Sequence, residues 1–170
     1  MRKIASLIAV VFIAGLTAFI SLKRPVAEAL FIRAIEENVG RSVSVSGDTR
    51  FHEPFNAASK DADVMFHEAL QPKMVIAIGM AVKTKGQDNI ATILNDILGY
   101  YTSPEEAAKA ATQAKVGALG LYHMLPLELL ETVFVGDASE FYDGPIEIAK
   151  DGLLIRLPVT SNEIRMSNRL

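Results

Sequence analysis

Residues 4–22 read IASLIAVVFIAGLTAFISL, nineteen consecutive positions without a charge. No other feature limits the chain so strongly. A helix needs about 20 apolar residues to cross a bilayer core, and this run reaches that length. Nothing on it is polar enough to make the wet face of a surface helix. Met1-Arg2-Lys3 precedes the run and Lys23-Arg24-Pro25 closes it. The rival is a cleaved signal peptide, which wants a small-residue site directly after its apolar core. Ala27-Glu28-Ala29 has that pattern but lies beyond Lys23 and Arg24. An uncleaved single-pass anchor is therefore expected, with 1–24 as the anchor or signal segment. A basic start before one span places the C-terminal part outside the cytoplasm, in the periplasm or extracellular space.

The remainder suits one modest domain. The net charge of −3 and the lack of a basic cluster interleaved with aromatics exclude a strong nucleic-acid-binding surface. The absence of cysteine removes disulfides, thiolate metal sites and cysteine nucleophiles together. The three histidines, His52, His67 and His123, bound any metal chemistry.

Pro25 can open a helix and Gly40 can end one, so residues 25–40 read as a stalk helix. Arg41-Ser42-Val43-Ser44-Val45-Ser46 alternates polar and apolar, as a half-buried strand does, and Gly47-Asp48-Thr49 is a turn. Helices are expected over 56–60, 70–83, 89–98, 103–114 and 127–141. The firmest is the one opened by Ser103-Pro104-Glu105-Glu106: a cap, a first-turn proline and a capping-box glutamate. Apolar runs over 63–66 and 116–122 read as strands ending at His67 and His123. Ile146-Glu147-Ile148 and Leu153-Leu154-Ile155 flank Asp151-Gly152 as a hairpin, and 159–170 reads as a loose polar tail. Strands alternating with helices give an α/β or layered α+β class.

Three polar groups then fall where strands end: Asp48, His67 and His123. Layered α/β folds place ligands there, and an aspartate with two histidines is suitable for a borderline metal such as zinc. Plainer readings stand beside this one. Asp48 can satisfy its own turn, and each histidine can be a core residue with its polar atoms paired. His52 shares a helical spacing with Asp48, but Pro54 argues against a helix between them.

Ser46-Gly47-Asp48-Thr49, Phe66-His67-Glu68-Ala69, Tyr101-Thr102-Ser103-Pro104-Glu105-Glu106-Ala107-Ala108 and Leu121-Tyr122-His123 occur in series. With Tyr142-Asp143-Gly144-Pro145 near the end, the stretch 41–158 resembles the C-terminal half of metallo-β-lactamase-fold hydrolases, in their ribonuclease Z-like branch. The resemblance implies part of an αββα sandwich, preceded here by one transmembrane helix. It implies that Asp48 is the aspartate bridging two zinc ions, that His123 is the last histidine ligand, and that His67 is a catalytic helper beside them. It also implies hydrolysis of a phosphodiester or other ester, of a small molecule or a nucleic acid, by a metal-activated water. The family's His-x-His-x-Asp-His motif is absent, and Tyr101 stands where the family has a histidine. Two functional readings follow. One is a membrane-anchored zinc hydrolase, for which a partner chain is a candidate source of the other half. The other is an internally deleted, catalytically inactive relative that binds a partner or is vestigial.

Overall fold

The computed structural model of the chain describes residues 32–36, 40–126 and 131–168. The anchor expected over 1–24 lies outside them. No helix among the described residues is long and apolar enough to cross a membrane.

Strands β1 (Ile32–Glu36), β2 (Arg41–Val45), β3 (Val64–Leu70), β4 (Ala118–Leu125) and β5 (Ile146–Ile148) form one sheet in that order. The pairings β2–β3, β3–β4 and β4–β5 are parallel, while β1 runs antiparallel to β2. A parallel sheet needs crossovers that cover a face. The segments after β2 and β3 supply α1 (Glu53–Ala58), α2 (Pro72–Thr84), α3 (Asp88–Ile97) and α4 (Pro104–Ala114). A short helix α5 (Glu131–Val135) and a single 3₁₀ turn, Ala138–Glu140, lead into β5. Strands β6 (Leu153–Arg156) and β7 (Arg165–Asn168) make a separate two-stranded sheet.

The core lies between the sheet and α4. Ala107, Ala108, Ala110, Ala111 and Ala114 are fully buried. Their small side chains let the helix come down closely on Met65, Ala69, Leu119 and Leu121. Phe55 and Phe134 belong to the same buried cluster. The capping box forms as its sequence requires: Ser103 accepts from the Glu106 N–H, and the Glu106 carboxylate accepts from the Ser103 N–H, at 3.1 and 3.0 Å.

Five expectations need correction. Within the expected helix 127–141, α5 ends at Val135, and Gly136, at φ +57°, parts it from the 3₁₀ turn. The stalk helix over 25–40 gives way over Ile32–Glu36 to a strand, paired residue for residue with Arg41–Val45. Gly40, at φ +67°, sits in the turn between them. The edge of β2 offers a ladder of backbone partners, and that outweighs a weak helix propensity. The strands carrying His67 and His123 do not stop there but run on to Leu70 and Leu125. The turn at Asp151-Gly152 exists, yet its flanking strands belong to different sheets, because β5 fills the free edge of β4. The polar tail is held rather than loose. The buried Arg41 guanidinium donates to the backbone carbonyls of Pro158, Ser161 and Glu163, and β7 then pairs with β6.

Candidate functional site

The C-terminal ends of β2, β3 and β4 bring the candidate residues together. Asp48 follows β2 in the Gly47-Asp48-Thr49 turn. His123 lies in β4 at a bulge: Glu68 pairs with Tyr122 and Ala69 with Met124, which leaves His123 without a partner in the ladder. Its backbone is left-handed, at φ +46°. A bulge re-aims a side chain, and a left-handed non-glycine residue is strained by roughly 1–3 kcal/mol. Here the distortion directs the imidazole at Asp48, whose Oδ1 lies 2.6 Å from His123 Nδ1. Both side chains stay about half exposed, His123 at 44% and Asp48 at 56%. The pair is therefore open to a ligand.

The surroundings of the pair are polar and tightly built. The Tyr101 ring stands edge-on to His123 with centroids 5.9 Å apart. Thr102, next to it, is fully buried and joins three segments. Its N–H donates to Glu68 Oε1 at 2.8 Å, its hydroxyl donates to the Thr49 carbonyl at 2.8 Å, and its carbonyl accepts from the Leu70 N–H at 2.8 Å. The capping box that starts α4 at Ser103 fixes where this loop sits. On the other side, Ser46 Oγ accepts from the Glu68 N–H at 3.0 Å, and the Tyr122 hydroxyl donates to the Ser46 carbonyl.

Burial dominates the electrostatics. It raises the Glu68 carboxyl to about 8, against the opposing pull of the Thr102 N–H, and the Asp48 charge pushes in the same direction. Glu68 is thus a neutral acid at pH 7. Burial also raises the Tyr101 phenol, helped by Asp48 and Glu68, and raises Tyr122. Tyr101 is no base at neutral pH.

His67 is placed differently from Asp48 and His123. It is completely buried, packs edge-to-face on Phe55 at 5.4 Å, and its Nδ1 lies 2.9 Å from the Glu68 carbonyl, where it donates. Burial lowers it to about 4, so it is neutral. Its Nε2 meets no hydrogen-bond partner among the described residues. Successive strand residues face opposite ways, so His67 turns toward α1 while Glu68 turns toward Thr102. His52 stands at the N-cap of α1 without a side-chain cap bond.

A catalytic zinc takes three protein ligands and leaves one position open. Asp48 and His123 offer two. Among the described residues no group of three His, Asp or Glu side chains converges. The donors present therefore do not fit a complete zinc site. Glu68 and Thr102 are the site residues that sequence reasoning missed. The signal for Glu68 was the motif Phe66-His67-Glu68-Ala69 itself, in which the strand's alternation gives one face to His67 and the other to Glu68.

No family model matches the chain. It is 31% identical over 131 residues to a ribonuclease Z from Halobacterium salinarum, covering 70% of this chain and 33% of the relative. It is 30% identical over 131 residues to a ribonuclease Z from Myxococcus xanthus, covering 71% and 34%. The chain thus spans about a third of the length of the curated relatives it matches. Among solved structures it resembles the metallo-β-lactamase fold protein YhfI from Bacillus subtilis, with TM-score 0.48, 17% identity, and 82% of this chain on 49% of that one. It also resembles the short form of human tRNase Z, with TM-score 0.44, 18% identity, and 75% on 38%.

Proposed function

We propose, on the premise that the chain is a partial ribonuclease Z-like protein of the metallo-β-lactamase kind, that it carries the C-terminal share of a phosphodiesterase site and does not complete that site alone. The observation behind this reading is the Asp48–His123 pair, 2.6 Å apart on a strained bulge at the carboxyl ends of parallel strands. Strain of that kind persists only where the surrounding structure holds it, and here it aims an imidazole at a carboxylate in an open position. Asp48 and His123 are two metal donors. Together with donors from another chain they would hold zinc, which would then supply an activated water and charge neutralisation at an ester of a nucleic acid or a small molecule. The residues of this chain hold and orient. Glu68, kept protonated, donates or accepts without adding charge near Asp48. Thr102 fixes the loop that carries Tyr101. His67 supports β3 from behind by holding the Glu68 carbonyl.

The donors still lacking come from a partner chain that pairs along the sheet. Residues 4–22 anchor the protein in a membrane with the domain outside the cytoplasm. The second reading, an inactive relative that binds a partner, is favoured by one observation: Tyr101 occupies the histidine position of the family, and its phenol stays protonated.

Zinc titration of the full chain in detergent, followed by the ¹⁵N shifts of its three imidazoles, tests the site. The expected result is a weak perturbation at His123 alone, lost in Asp48→Ala. A response at His67 or His52, or one unaffected by Asp48→Ala, would overturn the assignment.

A further inference from the structure

The α2–α3 hairpin is the least covered part of the domain. From Met74 to Val82, α2 has nine residues without a polar side chain. A helix that is apolar all round is normally buried, yet only Val75 is buried here. No residue of α3 is buried. Ile76 is 49% exposed, Met80 67%, Ile90 45% and Ile93 60%. The two helices pack on each other, with Leu94 against Gly79, and still leave a cleft of about 500 Å³ lined by Val75, Ile76, Met80 and Leu98 together with Lys83 and Asp88. Large contiguous apolar surface of this kind marks a contact.

Topology favours one occupant. In β1, Ile32 pairs with Val45, the last residue of β2. The chain therefore enters the sheet at the carboxyl end of its parallel strands. The hairpin leaves β3 at that same end, after Leu70 and Gln71. Residues 23–31 separate the uncharged run 4–22 from Ile32, and nine extended residues span at most about 30 Å. A helix of thirteen residues such as α2 is about 20 Å long. A bilayer that holds 4–22 thus lies within reach of the hairpin. Lys73, Lys83 and Lys85 flank the apolar stretch of α2, and such side chains lay their methylene stems along apolar surface while the ammonium stays in water.

We infer that the α2–α3 hairpin seats its apolar face in the interfacial layer of a lipid bilayer, which turns the sheet end carrying Asp48 and His123 toward the membrane. This rests on the anchor proposed for residues 4–22.

The chain has no cysteine, so a single introduced thiol can be labelled cleanly. The full chain carrying Met80→Cys, Ile93→Cys or Lys60→Cys, each with an environment-sensitive fluorophore, is mixed with phosphatidylcholine vesicles. Half of the vesicles contain a doxyl-quencher lipid. Lys60 lies before β3, at the opposite end of the sheet. Co-sedimentation reports the anchor and quenching reports the hairpin. The expected result is co-sedimentation with blue-shifted emission at positions 80 and 93, quenched several-fold more than at position 60. Water-like emission at 80 and 93 in sedimenting protein would overturn the inference and leave the anchor standing. The same emission in protein that stays in the supernatant would overturn both. Blue-shifted emission that doxyl lipid does not quench, with cross-links between copies through Met80→Cys, would assign the face to a second copy and overturn the inference as well.

Discussion

Replacing Arg41 by Met should detach the C-terminal segment and weaken β2 together. Arg41 is 6% exposed. Its Nε forms an ion pair with Asp63 Oδ1 at 2.9 Å, and its terminal nitrogens donate to the carbonyls of Pro158 at 3.3 Å, Glu163 at 3.2 Å, and Ser161. Removing one partner of a buried ion pair costs about 3–5 kcal/mol, because the other charge is left uncompensated. Asp63 is 20% exposed and keeps the Ser42 N–H at 2.6 Å, so the low end, about 3 kcal/mol, applies. The freed carbonyls lie near solvent, and their lost hydrogen bonds add about 1 kcal/mol. The total is about 4 kcal/mol. Arg41→Lys keeps the charge but not the planar fork that reaches three carbonyls, so it should fall between Met and the parent. Urea unfolding of the full chain in mild detergent measures the loss, and hydrogen exchange localises it to residues 153–168 and β2. A change below 1 kcal/mol with unaltered exchange over 153–168 would refute the idea that one buried guanidinium holds this segment.

The native state raises Glu68 from 4.5 to about 8, so it binds that proton more tightly than the unfolded chain. The stability this contributes is complete below pH 4.5 and is lost as pH rises through about 8. At about 1.4 kcal/mol per unit the loss is capped at about 5 kcal/mol, so urea unfolding from pH 5 to 9 should give a flatter profile for Glu68→Gln than for the parent. Thr102→Val should cost about 1–2 kcal/mol, since it removes the hydroxyl bond to the Thr49 carbonyl inside the domain, and the Tyr101 and His123 resonances should shift with it. Gly120→Ala would place a Cβ 2.4 Å from the Phe66 ring, so a loss of about 1–3 kcal/mol in thermal or urea unfolding is expected from overpacking.

Local chemistry was legible where the residues decide structure by themselves. Ser103, Pro104 and Glu106 specify a helix start without help, and the helix begins and ends where their pattern and the alanine run indicate. Asp48 and His123 were readable as a pair because each closes a motif at a strand's carboxyl end, and parallel strands carry those ends to one place. The parts that were not legible depend on distant partners. Ile32–Glu36 becomes a strand because the edge of β2 is available, which no local pattern announces. β7 forms because Arg41, more than a hundred residues earlier, holds the segment before it. His67 reads as a candidate ligand in sequence, but the strand continues past it, and alternation turns it into the core while its neighbour Glu68 takes the site face.

The reading proposed for this chain is that Asp48 and His123 are two donors of a phosphodiesterase site that the described residues do not complete. Metal analysis of the purified full chain at micromolar zinc, with turnover of a nitrophenyl phosphodiester beside Asp48→Ala, tests it most directly. With two donors, water must fill the remaining positions, and a second ion has little to hold it. The expected result is far less than one zinc ion per chain and turnover indistinguishable from Asp48→Ala. Stoichiometric zinc, with turnover abolished by Asp48→Ala, would contradict it.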